Sequence, residues 1–207
     1  KNIAKNINHL YIADGHHRMG AMQHIKKMNP LNERFMIAAF PSNECKIFDY
    51  NRVIKDLNGL SKEQFIKNLL NDFKVLKTDK AHKPTTKNEF GMYHDNQWYI
   101  LEFVNPFTFN NFIDALDINI LNQFCLTKML NIKDVNNDER IRFIAGCHGL
   151  SALEKKVDEN PDSVAFSIFP STITDVIRVA DNNLTMPPKS TWFDPKPLDG
   201  LVVYEFN

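Results

Sequence analysis

Three absences narrow the reading before any motif is considered. Charge of one sign is missing: 25 lysines and arginines stand against 25 aspartates and glutamates in 207 residues, and the pI is near 7.2. A chain without net charge is not built to hold nucleic acid or a membrane surface by bulk electrostatics. Cysteine is scarce and odd in number. Cys45, Cys125 and Cys147 share no CxxC spacing and cannot complete a disulfide framework, so the expected compartment is a reducing cytoplasm. No apolar run approaches the roughly 20 residues that cross a bilayer. The opening Lys1-Asn2-Ile3-Ala4-Lys5-Asn6 lacks the pattern of a signal peptide. The expected partners are therefore small molecules or proteins, with no membrane and no direct nucleic acid.

What is present is an ordinary globular composition, 43% hydrophobic and 24% charged. A chain of this length buries on the order of 70% of its unfolded surface, enough for one large core or two small ones, which excludes whole-chain disorder. It opens on Lys1, and its densest polar cluster lies within the first twenty residues. We expect a portion of a longer chain whose amino-terminal part is missing.

Periodicity then sets the elements. His9 to Ala13 alternates like a short strand, Asp14-Gly15 breaks it as a turn, and Met19, Met22, Ile25 and Met28 recur as one helical face ending at Asn29-Pro30. Phe35 to Phe40 is a short apolar run closed by Pro41, the pattern of a buried strand that can pair beside the first. Ser61-Lys62-Glu63-Gln64 is a capping box leading a helix with Phe65, Ile66, Leu69 and Leu70, followed by a strand at Phe73 to Leu76. Lys80 to Asn88 reads as a loop, and Tyr93 to Tyr99 as a hairpin turning at Asp95-Asn96. Asp117 opens a buried helix reaching Leu130. Ile141–Ala145 and Val164–Phe169 read as strands, Gly149–Val157 and Ser171–Ala180 as helices, the latter with Ser171 or Thr172 capping Asp175. Met186 to Pro197 is too rich in proline for regular structure, and Leu201 to Phe206 reads as a closing strand. The fold class is α+β, a mixed sheet with helices. The division we expect is 1–80 and 81–207, or one continuous domain.

Asp14-Gly15-His16-His17-Arg18 is the densest functional cluster, placed where a strand hands over to a helix. Unpaired amides and the helix dipole favour an anion there, Gly15 allows close backbone approach, and Arg18 offers a forked pair of donors. The histidines add donors or a proton carrier, and Asp14 can hold a metal, orient a histidine or accept a hydroxyl proton. The same residues also suit a purely structural turn, and a dedicated metal site is a third reading.

Tyr11 to Arg18, together with Met186-Pro187-Pro188-Lys189-Ser190-Thr191-Trp192-Phe193, Pro195-Lys196 and Gly200-Leu201-Val202, resembles the domain-of-unknown-function 1015 family of bacterial and archaeal proteins. Ile113 to Ile118 and Ala165 to Pro170 are similar to it as well, so the resemblance runs the length of the chain. The Asp-Gly-His-His-Arg segment in turn resembles the phosphate-binding segment of the ParB and sulfiredoxin-like superfamily, which includes CTP-hydrolysing partition proteins and kinases of free serine. The resemblance implies a ParB/sulfiredoxin-like element at the amino-terminal end. It implies a nucleotide- or phosphate-binding protein, or a phosphotransferase acting on a free amino acid. Gly15, His17 and Arg18 would bind the phosphate, Asp14 and His16 would be catalytic, and Mg²⁺ would accompany the nucleotide on Asp14. Sulfiredoxins carry cysteine where His16 stands, so reduction of a sulfinic acid is not implied. The serine kinases take a glutamate from before the motif, and only ten residues precede Tyr11.

Lys189-Ser190-Thr191 lacks the glycine-rich approach of a Walker loop, but Lys189 and Ser190 are candidate accessory groups to the same site. Cys147-His148 is read as a small buried thiol beside a histidine rather than a nucleophile. Phe103, Phe107, Phe109 and Phe112 have no interleaved basic residues and read as a core or domain-interface element, not as a base-stacking platform. The rival to catalysis is a regulatory or scaffold protein that senses a nucleotide or metabolite, linked to DNA through a domain outside this chain.

Overall fold

The computed structural model describes residues 6–28, 35–198 and 200–203. The chain forms two compact units: residues 1–46 with 193–207, and residues 47–192. The larger unit carries a six-stranded sheet built from β2 (Tyr50–Ile54), β3 (Phe73–Thr78), β4 (Glu89–His94), β5 (Gln97–Phe103), β6 (Ile141–Ala145) and β7 (Val164–Ile168). Its strand order is β3-β5-β4-β7-β2-β6, and every pairing is antiparallel. With α2 (Lys62–Leu69), α3 (Asp117–Leu121), α4 (Ser151–Asp158) and α5 (Ile173–Asp181) around it, the α+β class stands. Residue 80, where the sequence suggested a division, falls between β3 and β4 inside this sheet.

Strand pleating sorts neighbouring side chains into two cores. Ile54, Met92, Tyr99 and Phe166 point to one face, where Phe65 and Leu69 of α2 and Ile120 and Leu121 of α3 cover them. Val53, Tyr93, Trp98 and Ala165, each next in sequence to one of those, point to the other face under Leu153 and Val157 of α4. β4 and β7 are central and buried on both sides. Gly91 lies where β4 passes closest to its neighbours: a Cβ there would stand 2.3 Å from both the His82 carbonyl and the Ser167 hydroxyl.

Local signals explain most of these elements. Ser61 and Gln64 form both bonds of the capping box that starts α2, and Thr172 and Asp175 do the same for α5. Asp95 and Asn96 take φ of 51° and 55°, the left-handed pair that closes a two-residue hairpin between β4 and β5. After α3 the helix widens into a π-helical stretch, Asn122–Thr127, that buries Phe124, Cys125 and Leu126. Phe103, Phe107 and Phe109 pack ring against ring with the buried Phe124, but Phe103 and Phe109 are half-buried and Phe107 is exposed, so the stretch lies at the margin of the core rather than inside it, while Phe112 lies under the Arg178 guanidinium at 4.1 Å.

The smaller unit contains α1 (His16–Met28), which starts directly after the Asp14-Gly15 turn as expected. Met19 and Met22 are half-buried, but Ile25 and Met28 are exposed. The helix end at Asn29-Pro30 lies outside the described residues. Two expectations are corrected here. His9–Ala13 and Phe35–Phe40 are not strands, because a strand exists by pairing and neither run has a ladder partner among the described residues. Leu201–Val203 is likewise irregular, and the rest of that expected closing strand lies outside the described residues. The chain passes between the units through two three-residue strands, β1 (Lys46–Phe48) and β8 (Trp192–Asp194), of which the second interrupts the proline-rich strap.

Candidate functional site

In the smaller unit, Gly15 adopts φ of +80°, a conformation that glycine reaches without the steric cost an L side chain pays. Its carbonyl accepts the first helical hydrogen bond, from the Met19 amide at 2.9 Å, so Gly15 caps α1. The amides of His16, His17 and Arg18 then have no carbonyl inside the helix to reach. A 13-residue helix adds the positive end of its dipole at this point.

Asp14 Oδ1 accepts from the Gly15 amide at 2.9 Å, which ties the turn, and Asp14 Oδ2 accepts from Lys196 Nζ at 3.1 Å. Partial burial pushes the Asp14 carboxyl up. The Lys196 ammonium and the Gly15 amide outweigh it, with the Arg18 charge adding its pull, and hold the group below its ordinary range. Asp14 is therefore an anion at neutral pH. Arg18 folds back over the turn: a Cβ on Gly15 would stand 3.0 Å from Arg18 Nε and 3.1 Å from its Nη2. His16, His17 and Arg18 are exposed. The turn thus carries one fixed carboxylate, an ammonium bound to it, a guanidinium laid over a glycine, two exposed imidazoles and the three amides of the first helical turn, which have no acceptor within the helix.

Lys196 is the member of this group that sequence reasoning did not single out. It entered the sequence reading only within the strap, as part of Pro195-Lys196, 182 positions from Asp14, and no local pattern links the two.

Lys189 and Ser190 belong to the larger unit, where each has structural work. The Lys189 carbonyl accepts from Arg52 Nη2 at 3.2 Å, and its ammonium lies 5.8 Å from the centre of the Tyr50 ring. Ser190 is buried and its carbonyl accepts from the Ser171 hydroxyl. Cys147, expected to be buried, is exposed on the short turn after β6, while Cys125 is the fully buried thiol and burial pushes it up. Among the described residues, no group of three or more histidines, cysteines or carboxylates could hold a metal ion. No helix among them is long and apolar enough to cross a membrane.

The sequence of residues 1–119, more than half of the chain, matches the family described as proteins of unknown function, DUF1015. The chain belongs to that family. No curated protein matches it. Among solved structures, a mutant free serine kinase in complex with AMP, and the same protein in complex with ADP, are similar at 17% identity and a TM-score of 0.48, covering 88% of this chain. A conserved hypothetical protein from Pyrococcus furiosus is similar at 16% identity and a TM-score of 0.45, covering 88% of this chain and 68% of that one. The chain spans 66% of the length of the kinase structures.

Proposed function

We propose that the Asp14–Arg18 turn is the phosphate-receiving segment of a nucleotide-binding phosphotransferase, and that a small hydroxyl-bearing molecule such as a free amino acid accepts the phosphoryl group. The observation that carries this reading is Gly15 at φ +80°, which opens α1 with the Arg18 side chain folded over the glycine. Phosphate oxygens need several donors and positive charge arranged around one point, and the turn supplies backbone, fork and imidazole donors together. In this reading Arg18 and His17 hold the phosphates, with Gly15 giving the approach.

Phosphoryl transfer asks mainly for positioning and charge stabilisation. The acceptor hydroxyl oxygen bonds to the terminal phosphorus, the bond to the bridging oxygen breaks, and the nucleotide departs with that electron pair. The hydroxyl proton passes to Asp14 or, beside it, to His16. Both Asp14 oxygens are already engaged, so the turn gives Mg²⁺ one protein ligand at most, which suits an ion that arrives on phosphates and keeps its waters. Mg²⁺ would supply charge neutralisation on the phosphates.

The Asp14–Lys196 pair also favours a second reading, nucleotide sensing without turnover, because a carboxylate held below its usual range is a weak base. The two are separated by incubating the chain with ATP or ADP, Mg²⁺ and free amino acids and following phosphomonoester formation by ³¹P NMR. A new phosphomonoester that disappears in Asp14→Asn supports transfer. Nucleotide binding with no product over the same period supports sensing.

A further inference from the structure

The larger unit carries a hollow of about 430 Å³ that the turn at Asp14 does not use, and all of its lining residues lie within residues 47–192. Three aromatic side chains wall it: Tyr50 from β2, Phe143 from β6 and Trp192 at the start of β8. Tyr50 meets Phe143 edge-on at 6.0 Å and Trp192 at 5.7 Å, so the rings frame a slot rather than filling it. His148, Lys155 and Lys156 form the polar rim.

The charged side chains that line the slot are basic. Lys156 is held by Glu159 at 2.6 Å; Lys155, which is exposed, also acts on Glu159 through its charge but makes no salt bridge among the described residues. Behind the aromatic wall, the buried Arg52 guanidinium lies 5.4 Å from the centre of Phe143, and Lys189 lies 5.8 Å from that of Tyr50. In a chain with no net charge this is a local concentration of cations against apolar rings.

The backbone adds a third feature. β6 is the edge strand of the sheet, and Phe143, Ile144 and Ala145 all line the hollow, although consecutive residues point to opposite faces, so the hollow wraps the free edge. Gly146 donates to the Asp49 carbonyl at 2.8 Å and Lys55 to the Arg140 carbonyl at 2.9 Å, which fixes the even-numbered residues of β6 as those bonded to β2. The alternation of an antiparallel ladder then aims the N–H and C=O groups of Phe143 and Ala145 outward, at the hollow.

We infer that this hollow is a binding site for a small anion that carries a flat aromatic ring. The ring stacks among Tyr50, Phe143 and Trp192, its polar edge meets the outward backbone groups of β6, and its anionic group sits against Lys155 and His148. The volume lies in the range of small-molecule sites. Two ligand classes share this chemistry, nucleoside monophosphates and aryl carboxylates, and the test separates them.

Trp192 reports directly, because a stacked ligand quenches its fluorescence, whereas Trp98 is buried in the core. The chain is titrated with AMP and, separately, with benzoate up to about 5 mM, the weak end of specific affinity, with excitation at the red edge of the tryptophan band where neither probe absorbs or emits. Quenching that saturates, vanishes in Trp192→Phe and weakens roughly fivefold or more in Lys155→Glu supports the site, and whichever probe binds names the class. Lys67→Glu, an exposed charge reversal on α2, leaves the affinity unchanged. Pyrophosphate, which has no ring to stack and is the probe of the phosphate turn, leaves the Trp192 fluorescence unchanged, so failure here is distinct from failure of the phosphate turn. No saturable quenching by either probe overturns the inference, as does quenching lost in Arg18→Ala but kept in Lys155→Glu.

Discussion

The Arg52 guanidinium donates to the carbonyl of Lys189 at 3.2 Å, across 137 residues of sequence. Arg52 is about 1% exposed, it also donates to the Tyr50 carbonyl, and its Nε has no hydrogen-bond partner among the described residues. Burial pushes its pKa down to about 9, which leaves the group protonated at neutral pH with two carbonyls and the face of Phe143 as its company. Arg52 therefore fastens the proline-rich strap to the sheet through backbone rather than through a carboxylate.

Removing that fastening should be costly. Arg52→Ala leaves two carbonyls without their donor and a cavity besides, with an expected loss on the order of 3 kcal/mol. Arg52→Met keeps most of the volume and removes a buried charge, so it should lose less. Urea unfolding of both variants checks the order; an alanine variant as stable as the unsubstituted chain would contradict it.

Asp117 makes a pH prediction. It is about 6% exposed, and burial pushes its carboxyl up to about 6, although the Asn88 amide bonds to it and Lys87 is near. Its ordinary value is 3.8, so between these two values the folded chain binds more protons than the unfolded one, and the stability contributed by Asp117 falls as pH rises from about 4 to about 6. Asp117→Asn keeps an oxygen for the Asn88 amide and removes the titration. The variant should match the unsubstituted chain near pH 4 and exceed it at pH 7 by on the order of 2 kcal/mol. Denaturation midpoints that run parallel across this range would count against the assignment.

Ser61 offers a milder test. Its side chain accepts from the Gln64 amide while the Gln64 side chain accepts from the Ser61 amide. Ser61→Ala should cost about 1 kcal/mol, measured as a lower urea midpoint, and a neutral outcome would show that packing alone holds α2.

Gly15→Ala probes the turn without touching a charge. The positive φ adds about 1–2 kcal/mol of backbone strain for any L residue, and the new methyl would press on Arg18 Nε. Affinity for pyrophosphate should fall about tenfold; calorimetry giving the same affinity as glycine would mean that neither the tight turn nor the Arg18 position matters.

The elements legible from sequence were those whose cause is local. One capping box, a Ser171 or Thr172 cap, an Asp95-Asn96 turn and apolar periodicity placed α2, α5, the β4–β5 hairpin, β6 and β7 within a few residues. β2 escaped notice because Asp49, Asn51 and Arg52 are polar yet buried, and only the flanking β6 and β7 make them so. The apolar runs at 9–13 and 35–40 failed in the opposite sense: composition supplied strand formers, but pairing is a tertiary event. At the candidate site the adjacent residues Asp14 to Arg18 were readable as a group, whereas Lys196 becomes their neighbour only through the fold.

The claim that the Asp14–Arg18 turn receives phosphate is tested most directly by calorimetric titration of the chain and of Arg18→Ala with ADP, ATP, CTP and pyrophosphate, with and without Mg²⁺. Removal of a forked, charge-assisted donor should weaken binding by about tenfold or more, with pyrophosphate alone sufficient to show the loss. Equal affinity for every phosphate ligand in the two proteins would contradict the account and leave the segment as a structural turn that starts α1.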